Sequence, residues 1–403
     1  MEPLLLGVGV MSSLRRLLVV GSLVLGSVVA CGSPTGSGTS SSPPTSGSPT
    51  ASTTAFSNAY RFDAALAAWV ESTGLSGATA AVISPKATWV GAAGKDASGR
   101  ALTVDTAFPV ASVTKTVTGA EVMLLASKGL IDLDAPITTY VPLPWDARGA
   151  TVRQLLGMRA GFPTTTDDVL LPLVSKDLTK PWSVQMKLAL IDPKSARLGK
   201  LGAAPTGDMS LWYNSNVFDI LALAVEKVTG QPFATVVRRD LLGPLGLTRM
   251  WSQVGEKPTA PLVTLLDDQQ WKLADPATGY LPSTAWASAM GIGGGSLAAD
   301  APTLARWGAL LYSGKAIPAS LVAQMTAGNP DEYYGLATMR LVTDSGSLIV
   351  GHLGDARIAA SLLLYWPATG ITVVVLVPQH TDTANTPLPA MADQLETLAQ
   401  MEK

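Results

Sequence analysis

The nine residues ASVTKTVTG, at positions 111–119, decide how the rest of this sequence is interpreted. A proline disfavours helix in the residue before it, so Pro109 marks a break in the chain just ahead of this stretch. From residue 114 to residue 125 the sequence has a helical pattern. Ser112 is therefore expected at the N-terminal end of a helix, with Lys115 one turn further along on the same face.

A serine and a lysine in this arrangement can act as a nucleophile and its base. The partial positive charge of a helix N-terminus stabilises a nearby oxyanion and opposes protonation of Lys115. A lysine that is also removed from water can lose its proton near neutral pH and then accept the proton of Ser112. The alternative is a serine that caps the helix beside a solvated lysine, and these nine residues alone do not distinguish the two.

The composition argues against several classes of function. The 403 residues carry 28 basic and 30 acidic side chains and no run of basic residues, so a nucleic acid is not an expected partner. Cys31 is the one cysteine, which excludes an intrachain disulfide and a cysteine metal cluster. With two histidines and no His-Glu-x-x-His motif, a metal site built on imidazoles is not expected either. We therefore expect no metal and no organic cofactor.

Residues 1–31 have the pattern of a lipoprotein signal peptide. Two arginines precede fourteen apolar or small residues at positions 17–30, a run shorter than the roughly 20 residues that span a membrane. The run ends in Val-Val-Ala-Cys, which resembles the lipobox of bacterial lipoproteins. We expect Cys31 to carry a lipid that anchors the exported protein on the outer face of the cell membrane, facing the cell wall. Ordinary cleavage after Ala30, which would leave a free Cys31, is the alternative.

Residues 32–58 are predicted to form a linker. From Gly32 to Thr54 every residue except Ala51 is Gly, Ser, Pro or Thr, and none is charged. Such a segment cannot bury enough apolar surface to fold. We expect it to hold a folded domain, residues 59–403, away from the membrane.

The domain 59–403 has β-type runs near both of its ends and a helical middle. Residues 77–95 read as two short strands split by a turn at 84–86, and residues 347–378 read as three more strands. Between about 112 and 285 the pattern is mostly helical. This order predicts an α/β fold in which an antiparallel sheet, flanked by helices, is built from both chain ends around a mostly helical inserted region. A cleft at such a junction is a common place for a site.

Several segments of the domain resemble, in order and spacing, the serine β-lactamase and penicillin-binding-protein superfamily. The resemblance is strongest to its class C β-lactamase and DD-peptidase-like branch, which includes many esterases. It begins with the Ala-Ser-x-Thr-Lys motif and covers nearly all of residues 60–400. The other matching segments are residues 126–142, 151–163, 211–233, 241–251, 291–314 and 351–377. The resemblance implies a β-lactamase/transpeptidase-like fold and a serine hydrolase.

The resemblance also implies roles for four side chains. Ser112 would be the nucleophile and Lys115 its base. Tyr213, either as a phenolate or as a phenol that shares its proton with Lys115, would relay protons to the leaving group. That role requires nearby cations to lower the pKa of the phenol from about 10. His352 begins the third motif, His-Leu-Gly at 352–354, and could be a charged or a neutral hydrogen-bond donor.

Substrate binding is expected next to these groups. Gly354 lies on an expected edge strand, where a glycine lets a substrate backbone approach closely. By resemblance, the peptide N–H of Asp355 joins that of Ser112 to form the oxyanion hole. Arg357 could bind a substrate carboxylate, and Trp212 could line the cleft.

The sequence departs from the family pattern at three places. Where the family has an asparagine two residues after the tyrosine, this chain has Ser215, flanked by Asn214 and Asn216. Either amide, or the serine hydroxyl, could reach the site and bind substrate. Met-Arg-Ala-Gly at 158–161 replaces a frequent His-Thr-Ser-Gly turn, with an expected effect on turn packing. Arg-Ile at 357–358 replaces the usual Pro-Gly. The changes at position 215 and at positions 357–358 predict an atypical substrate.

Two other features have ordinary interpretations. The glycines at 293–295 are not followed by the Lys-Ser/Thr of a phosphate-binding loop, so they predict a turn leading into the next helix. His380 follows the last predicted strand in a polar segment and is expected at the surface.

These features predict an exported, lipid-anchored serine hydrolase that forms an acyl-enzyme on a small-molecule or peptide substrate of the cell envelope. A β-lactam, a D-alanyl peptide and a carboxylic ester all fit this machinery, since each offers an amide or ester carbonyl. The alternative, motivated by the displaced asparagine, is a catalytically degenerate penicillin-binding-like lipoprotein that binds cell-wall peptide without turnover. The four intact side chains of the expected site count against that alternative.

Overall fold

The computed structural model describes residues 54–165, 167–192, 199–266, 280–281, 284–379 and 388–402. The signal peptide, the predicted lipid attachment at Cys31, most of the predicted linker and His380 lie outside the described residues.

Strands and short helices alternate along these ranges. The strands are β1 (Thr54–Ala55), β2 (Gly77–Ile83), β3 (Ala87–Gly94), β4 (Ala107–Pro109), β5 (Met250–Ser252), β6 (Leu265–Leu266), β7 (Tyr280–Leu281), β8 (Leu297–Asp300), β9 (Met339–Val342), β10 (Leu348–Asp355), β11 (Ala360–Trp366) and β12 (Ile371–Val377). The α-helices are α1 (Ala59–Thr73), α2 (Thr114–Ser127), α3 (Val152–Leu156), α4 (Asp167–Val174), α5 (Val184–Leu188), α6 (Asn216–Thr229), α7 (Phe233–Val237), α8 (Thr284–Ala289), α9 (Ala301–Tyr312), α10 (Ala319–Thr326) and α11 (Leu388–Gln400). Short 3-10 turns lie at Ala111–Val113, Ile137–Thr139 and Met209–Leu211, and a π-helical turn at Arg238–Leu242.

In the described part of the chain, the main sheet has the strand order β1-β3-β2-β12-β11-β10-β9. Each neighbouring pair is antiparallel except β1 and β3, which run parallel. Strands that precede residue 95 therefore lie beside strands that follow residue 338. This arrangement confirms the prediction of a sheet that is flanked by helices and assembled from both chain ends.

Helices cover both faces of this sheet, which explains why its central strands read as continuous apolar runs. All residues of β11 and of β12 are buried. On one face, Phe62 of α1 and Leu395 of α11 share an apolar core with Val373. On the other face, Trp307 of α9 shares a core with Val374. Successive residues of a strand point to opposite faces, so both must be apolar when both faces are covered.

The sequence prediction missed a second, smaller sheet of strand order β4-β8-β5, in which both pairs are antiparallel. Most of it lies in or beside the region predicted to be mostly helical. Its strands are only 3 or 4 residues long, too short for a period of two to be visible in the sequence. Strand β4 leads directly into the turn that carries Ser112, so this sheet helps to position the site.

The domain begins earlier than its composition suggests. Thr54 and Ala55, which were assigned to the linker, pair with β3 at the edge of the main sheet. Phe56 is 3% exposed, and its ring centroid lies 4.9 Å from that of Phe62. Residues 54–58 are therefore part of the fold, anchored by a single buried aromatic side chain. The composition of the segment does not reveal one such residue.

Helix α2, which carries Lys115, is buried on nearly every side from its first residue onward. Its threonines are tolerated there because their hydroxyl groups are hydrogen-bonded. Thr116 accepts a hydrogen bond from the indole nitrogen of Trp307 at 2.9 Å, and Thr118 donates to the carbonyl oxygen of Gly293 at 2.7 Å. The helix is thus fixed at the centre of the domain, with its N-terminal end at the junction of the two sheets.

Within the described ranges, no single helix has the length and apolarity to cross a membrane, and Asn216–Thr229 with Phe233–Leu242 qualifies only as a pair bent by 75°.

Glu121 is the unusual residue of helix α2, since its carboxyl group is fully buried. Burial raises its pKa to about 8, the charge of Asp240 adds to the rise, and Lys128 and Arg239 oppose it. The pKa of Glu121 is higher in the folded state than in the unfolded state. Its contribution to the free energy of unfolding is therefore fully present below about pH 4.5 and is lost as the pH rises through about 8.

We therefore expect the free energy of unfolding of the wild type to fall relative to that of Glu121→Gln by roughly 3–5 kcal/mol between pH 5 and pH 9. Urea unfolding at pH 5, 7 and 9 measures this difference. Glu71→Gln, at an exposed position of α1, is the control and should follow the wild type. Parallel pH profiles for the wild type and Glu121→Gln would contradict the expectation.

Candidate active site

Ser112 lies in a braced turn between β4 and α2, as the sequence predicts. The preceding residue, Ala111, has φ 44°, a left-handed conformation that costs energy for a residue with a Cβ. The carbonyl oxygen of Val110 accepts a hydrogen bond from the hydroxyl group of Ser361 in β11 at 2.8 Å. The N–H of Val110 donates to the carbonyl oxygen of Leu297 in β8 at 2.9 Å. Both sheets thus hold the turn that presents the half-buried Ser112.

Lys115 is in contact with Ser112, which confirms the predicted proximity of the pair. The amine nitrogen of Lys115 lies 2.8 Å from the hydroxyl oxygen of Ser112 and 2.7 Å from the carbonyl oxygen of Gly294. Burial lowers the pKa of Lys115 to about 7, helped by the charge of Lys187 and opposed by that of Asp219. A large fraction of the amine is therefore neutral near pH 7, when it can donate to Gly294 and accept the proton of Ser112.

Tyr213 lies beside this pair, with its ring centroid 5.2 Å from the amine nitrogen of Lys115. Burial raises the pKa of its phenol above the ordinary value, although hydrogen bonds with Ser112 and Ser215 oppose the rise. The negative charge of Asp355 also raises it. Of the two predicted states, the structure therefore favours the neutral phenol over the phenolate.

His352, on β10, is fully buried, and burial lowers its pKa to about 3, with a further contribution from the charge of Lys115. Its Nδ1 lies 2.5 Å from the carbonyl oxygen of Leu353, which can only accept, so Nδ1 carries the proton. Its Nε2 must then accept, and it lies 3.0 Å from the hydroxyl oxygen of Tyr334, which donates. Of the two forms left open by the sequence, the structure favours the neutral imidazole, because burial and a neighbouring lysine both disfavour a second proton.

Tyr334 is a site residue that sequence reasoning missed. It is buried, and its ring centroid lies 5.6 Å from that of His352, 6.4 Å from that of Tyr213 and 5.8 Å from that of Trp212. These four rings form one aromatic cluster, and the expected place of Trp212 in the lining of a cleft stays a prediction. Tyr334 stands in a loop sequence without a motif, so only the folded chain brings it to the site.

Gly354 and Asp355 continue β10 past the Ser112 turn. A Cβ at Gly354 would lie 2.2 Å from the hydroxyl oxygen of Ser361 and 2.3 Å from the carbonyl oxygen of Val110. Glycine is thus required because β10 packs against the turn that carries Ser112, and the approach of a substrate at Gly354 stays a prediction. Asp355 accepts a hydrogen bond from the N–H of Arg357 at 2.7 Å, and the role of its own N–H in an oxyanion hole stays a prediction.

The three residues after Tyr213 have different surroundings. Asn214 donates to two carbonyl groups of residues 162–165 at 2.8 and 3.1 Å, and Asn216 donates to a hydroxyl group of the same segment at 3.2 Å. Ser215 instead forms a hydrogen bond with Tyr213. The two amides thus tie a loop to helix α6, and Ser215 is the residue next to the reacting groups. Substrate binding by Ser215 or Asn216 stays a prediction.

The altered turn at 158–161 packs against this segment, in keeping with its expected effect on packing. Met158 has φ 57°, a left-handed conformation, and its sulfur accepts a hydrogen bond from the N–H of Asn214 at 3.4 Å. Arg159 forms an ion pair with Glu332 at 2.8 Å. The turn therefore connects the segment after Tyr213 to the loop before Tyr334.

The glycine-rich turn, residues 291–295, lies next to the amine of Lys115. It leads into strand β8, which precedes helix α9. The carboxylate of Asp219 accepts hydrogen bonds from the N–H groups of Gly293 and Gly294 at 3.1 and 3.2 Å, and it also pairs with Lys187. Sequence reasoning missed this buried pair, although a charge within the apolar run of α6 was a signal. Among the described residues, no group of three or more His, Cys, Asp or Glu could hold a metal ion.

Comparison with known proteins agrees with this geometry. A family model described as Beta-lactamase matches residues 62–396. The chain belongs to the beta-lactamase family. The resemblance from which the site was predicted is thereby confirmed at the level of the family.

Two curated relatives match this beta-lactamase family member over part of its length. Esterase EstB of Burkholderia gladioli is 32% identical over an aligned length of 165 residues, and the match covers 37% of this chain and 39% of EstB. Protein flp of Staphylococcus aureus is 28% identical over 149 residues, which are 36% of this chain and 27% of flp. The match thus spans less than half the length of either relative.

Solved structures share the fold over most of the chain. The D-amino acid amidase from Ochrobactrum anthropi SV3 superposes with a TM-score of 0.69 at 20% identity, covering 85% of this chain and 100% of the amidase chain. The octameric penicillin-binding protein homologue from Pyrococcus abyssi gives a TM-score of 0.68 at 18% identity, covering 85% of this chain and 78% of the homologue. The likeness confirms the mixed α/β fold.

The pKa of Lys115 predicts the pH dependence of acylation. Because the neutral amine is the base, the rate constant for reaction of Ser112 with a fluorophosphonate should rise with pH through about 7 and level off above it. Lys115→Arg should lower the rate by about 10³-fold or more, since a guanidinium stays protonated. Lys315→Arg, at an exposed position, should behave as the wild type. A rate that is independent of pH between 5 and 9 would contradict this base.

The hydrogen bond between Tyr334 and His352 can be tested by removing the hydroxyl group of Tyr334. Tyr334→Phe removes the donor to Nε2 and leaves the ring, so we expect a loss of about 1–2 kcal/mol in the free energy of unfolding. The pKa of His352 should rise, because the neutral imidazole loses a partner. Urea unfolding and NMR titration of the histidine ring measure the two effects. Tyr312→Phe, a buried tyrosine that bonds to Thr338, should leave the His352 titration unchanged, and an unshifted His352 in Tyr334→Phe would contradict the assigned tautomer.

Proposed function

We propose that this protein is a serine hydrolase that acts through an acyl-enzyme on uncharged carboxylic esters and amides. The contact of 2.8 Å between the amine of Lys115 and the hydroxyl group of Ser112 carries the proposal. An amine whose pKa is lowered to about 7 beside a serine hydroxyl group supports the roles of base and nucleophile. The esterase and D-amino acid amidase relatives support hydrolysis of an ester or amide carbonyl.

In the first half of the reaction, the neutral amine of Lys115 takes the proton of Ser112 while the serine oxygen forms a bond with the carbonyl carbon. The N–H groups of Ser112 and Asp355 stabilise the oxyanion that results. When the tetrahedral intermediate collapses, the bond to the leaving group breaks. The phenol of Tyr213 gives its proton to the leaving group and takes one from Lys115, so the amine and the phenol return to their neutral states.

In the second half, water attacks the ester formed on Ser112. Lys115 and Tyr213 now accept the proton of the water as the new carbon–oxygen bond forms, and they return it to the serine oxygen as the acyl bond breaks. The products are the free acid and the original enzyme. The same groups therefore serve both halves, and each half leaves them neutral.

The charge state of His352 supports a substrate without a carboxylate at the reacting end. β-Lactams and D-alanyl peptides carry a carboxylate close to the scissile bond, and a cation there would favour them. His352 is neutral, and both of its ring nitrogens are bonded within the protein. It offers no charge to such a carboxylate, whereas an ester or amide with a neutral leaving group does not need one.

The second candidate is hydrolysis or binding of a β-lactam or a D-alanyl peptide. Arg357 motivates it, because this cation follows β10 in the turn after Asp355 and could bind a substrate carboxylate. The penicillin-binding protein homologue with the same fold also supports it. A degenerate protein that binds without turnover is less well supported, since Ser112 and Lys115 are in contact.

We also propose that the protein is exported and anchored to the outer face of the cell membrane by a lipid on Cys31. The support is the signal-peptide pattern of residues 1–31 and the uncharged composition of the linker that follows. Growth of an expressing bacterium with an alkyne-labelled fatty acid tests it. Labelling of the wild type but not of Cys31→Ser is expected, and an unlabelled wild type would overturn the proposal.

The substrate class is tested with four probes on the purified domain. These are a p-nitrophenyl ester of a short fatty acid, the p-nitroanilide of an uncharged acyl group, a fluorescent penicillin and a D-alanyl-D-alanine peptide. We expect turnover of the ester, slower turnover of the anilide, and an acyl mass increase on Ser112. Ser112→Ala should reduce turnover by about 10³-fold or more.

Arg357→Gln serves as the matched variant for the second candidate. It should leave the ester rate unchanged when no substrate carboxylate is involved. Faster turnover of penicillin or the D-alanyl peptide than of the ester, lost in Arg357→Gln, would replace the first candidate by the second. No adduct and no turnover with any probe would sink the hydrolase itself.

A further inference from the structure

The buried ion pair of Lys187 and Asp219 lies behind the catalytic lysine and has no part in the chemistry described above. Lys187, at the end of helix α5, is 3% exposed, and Asp219, in the first turn of helix α6, is 1% exposed. Lys187 also donates to the carbonyl oxygen of Ala289 at 3.2 Å. The pair therefore joins three segments of the inserted region underneath the site.

The glycine-rich turn is fitted around the carboxylate of Asp219. One oxygen of that carboxylate accepts the N–H groups of both Gly293 and Gly294. A Cβ at Gly291 would lie 2.3 Å from the same oxygen, so the turn could not sit there with a larger residue. On the other side of the turn, the carbonyl oxygen of Gly294 accepts the amine of Lys115 at 2.7 Å. A chain of direct contacts thus leads from Asp219 to Lys115.

Stability alone does not account for this pair. Taking two charges out of water is costly, and well-packed apolar side chains of similar volume often serve a core equally well or better. Asp219 interrupts a helix whose neighbouring residues Val217, Phe218 and Ile220 are buried and apolar. A role in placing the turn explains why a charge stands at that position.

We propose that Asp219, held by Lys187, is a positioning residue that fixes the Gly294 carbonyl so that the amine of Lys115 points at Ser112. The inference rests on the proposed function, in which Lys115 is the base. Asp219 touches neither substrate nor the reacting atoms. It acts through the backbone of the glycine-rich turn.

The electrostatic effects of the two residues on Lys115 have opposite signs. Asp219 raises the pKa of Lys115 and Lys187 lowers it, and the effect of Asp219 is the larger. The other titratable groups that face this amine are Tyr213 and His352, both neutral near pH 7. The acid limb of acylation is the low-pH part of the pH–rate profile, in which the rate rises as Lys115 loses its proton. Changes at the ion pair should therefore move this limb in directions that depend on which charge is removed.

Three variants separate the placement of the turn from the charge. The double variant Asp219→Asn with Lys187→Met removes both charges and keeps a side-chain oxygen for the two glycine N–H groups. The double variant Asp219→Leu with Lys187→Met has a side chain of the same branched shape at position 219, larger by its methyl groups, and lacks that oxygen. The single variant Lys187→Met leaves the carboxylate without its cation. For each, fluorophosphonate acylation is measured from pH 5.5 to 9.5, together with the melting temperature.

We expect the Asn-Met variant to acylate within about threefold of the wild type on the high-pH plateau, and the Leu-Met variant to be slower by about tenfold or more because the amine loses its direction. The acid limb should move to lower pH in both double variants and to higher pH in Lys187→Met. A purely structural pair would change the melting temperature and leave the plateau rate of each folded variant equal to that of the wild type.

Two results would overturn the proposal: a folded Leu-Met variant with the wild-type plateau rate, or an Asn-Met variant that is as slow as the Leu-Met variant. If the Leu-Met variant does not fold, the plateau rate of the Asn-Met variant decides, and a loss of tenfold or more there overturns the proposal. A readout that needs no activity uses the Ser112→Ala background, in which NMR of labelled lysine side chains follows the titration of Lys115. Opposite shifts there show that both charges act on Lys115 even if the proposed substrates fail, while the plateau rates of fluorophosphonate acylation decide the positioning role.

Discussion

The amine of Lys115 lies between the hydroxyl group of Ser112 and the carbonyl group of Gly294, and the chemistry of the site depends on that position. The amine is fully buried, so its proton is weakly held near neutral pH. A neutral amine in this place donates to the carbonyl group of Gly294 and accepts from the hydroxyl group of Ser112, which fixes its lone pair toward Ser112. Burial and orientation therefore come from the same packing, and neither would be useful without the other.

Small residues make that packing possible where chain segments cross near helix α2. A Cβ at Gly119 would lie 2.1 Å from the Cβ of Ala337, and one at Gly293 would lie 2.2 Å from the carbonyl oxygen of Phe218. Gly354 lets β10 lie against the turn that carries Ser112 in the same way. The glycines bring backbone groups of three distant segments within reach of one helix end, where backbone polar groups rather than charges surround the nucleophile.

Much of the fold follows from local sequence patterns, and part of the site does not. The β-type runs at both ends gave the sheet, and the spacing of Ser112 and Lys115 gave their contact, because both are set by the regular geometry of strands and helices. The neutral state of His352 depends on burial and on a hydroxyl group from a separate loop, Tyr334, which no local pattern contains. The pair of Lys187 and Asp219 is likewise formed by residues on different helices. Side-chain partners across the fold were therefore the part that the sequence could not show.

The distribution of charge at the site has a consequence for how it stabilises a reaction. Before the reaction, the phenol of Tyr213 and the imidazole of His352 are neutral near pH 7, and so is a large fraction of the amine of Lys115. In the proposed reaction, the attack of Ser112 produces an oxyanion and an ammonium ion together, a few ångströms apart and shielded from bulk water. Two opposite charges that form as a pair attract each other strongly in such surroundings, whereas a permanent ion would already attract solvent or a counter-ion in the resting state. The ion pair of Lys187 and Asp219 lies behind the turn, so it can hold the framework without contacting either new charge. The stabilisation is thus greatest in the transition state, where it increases the rate.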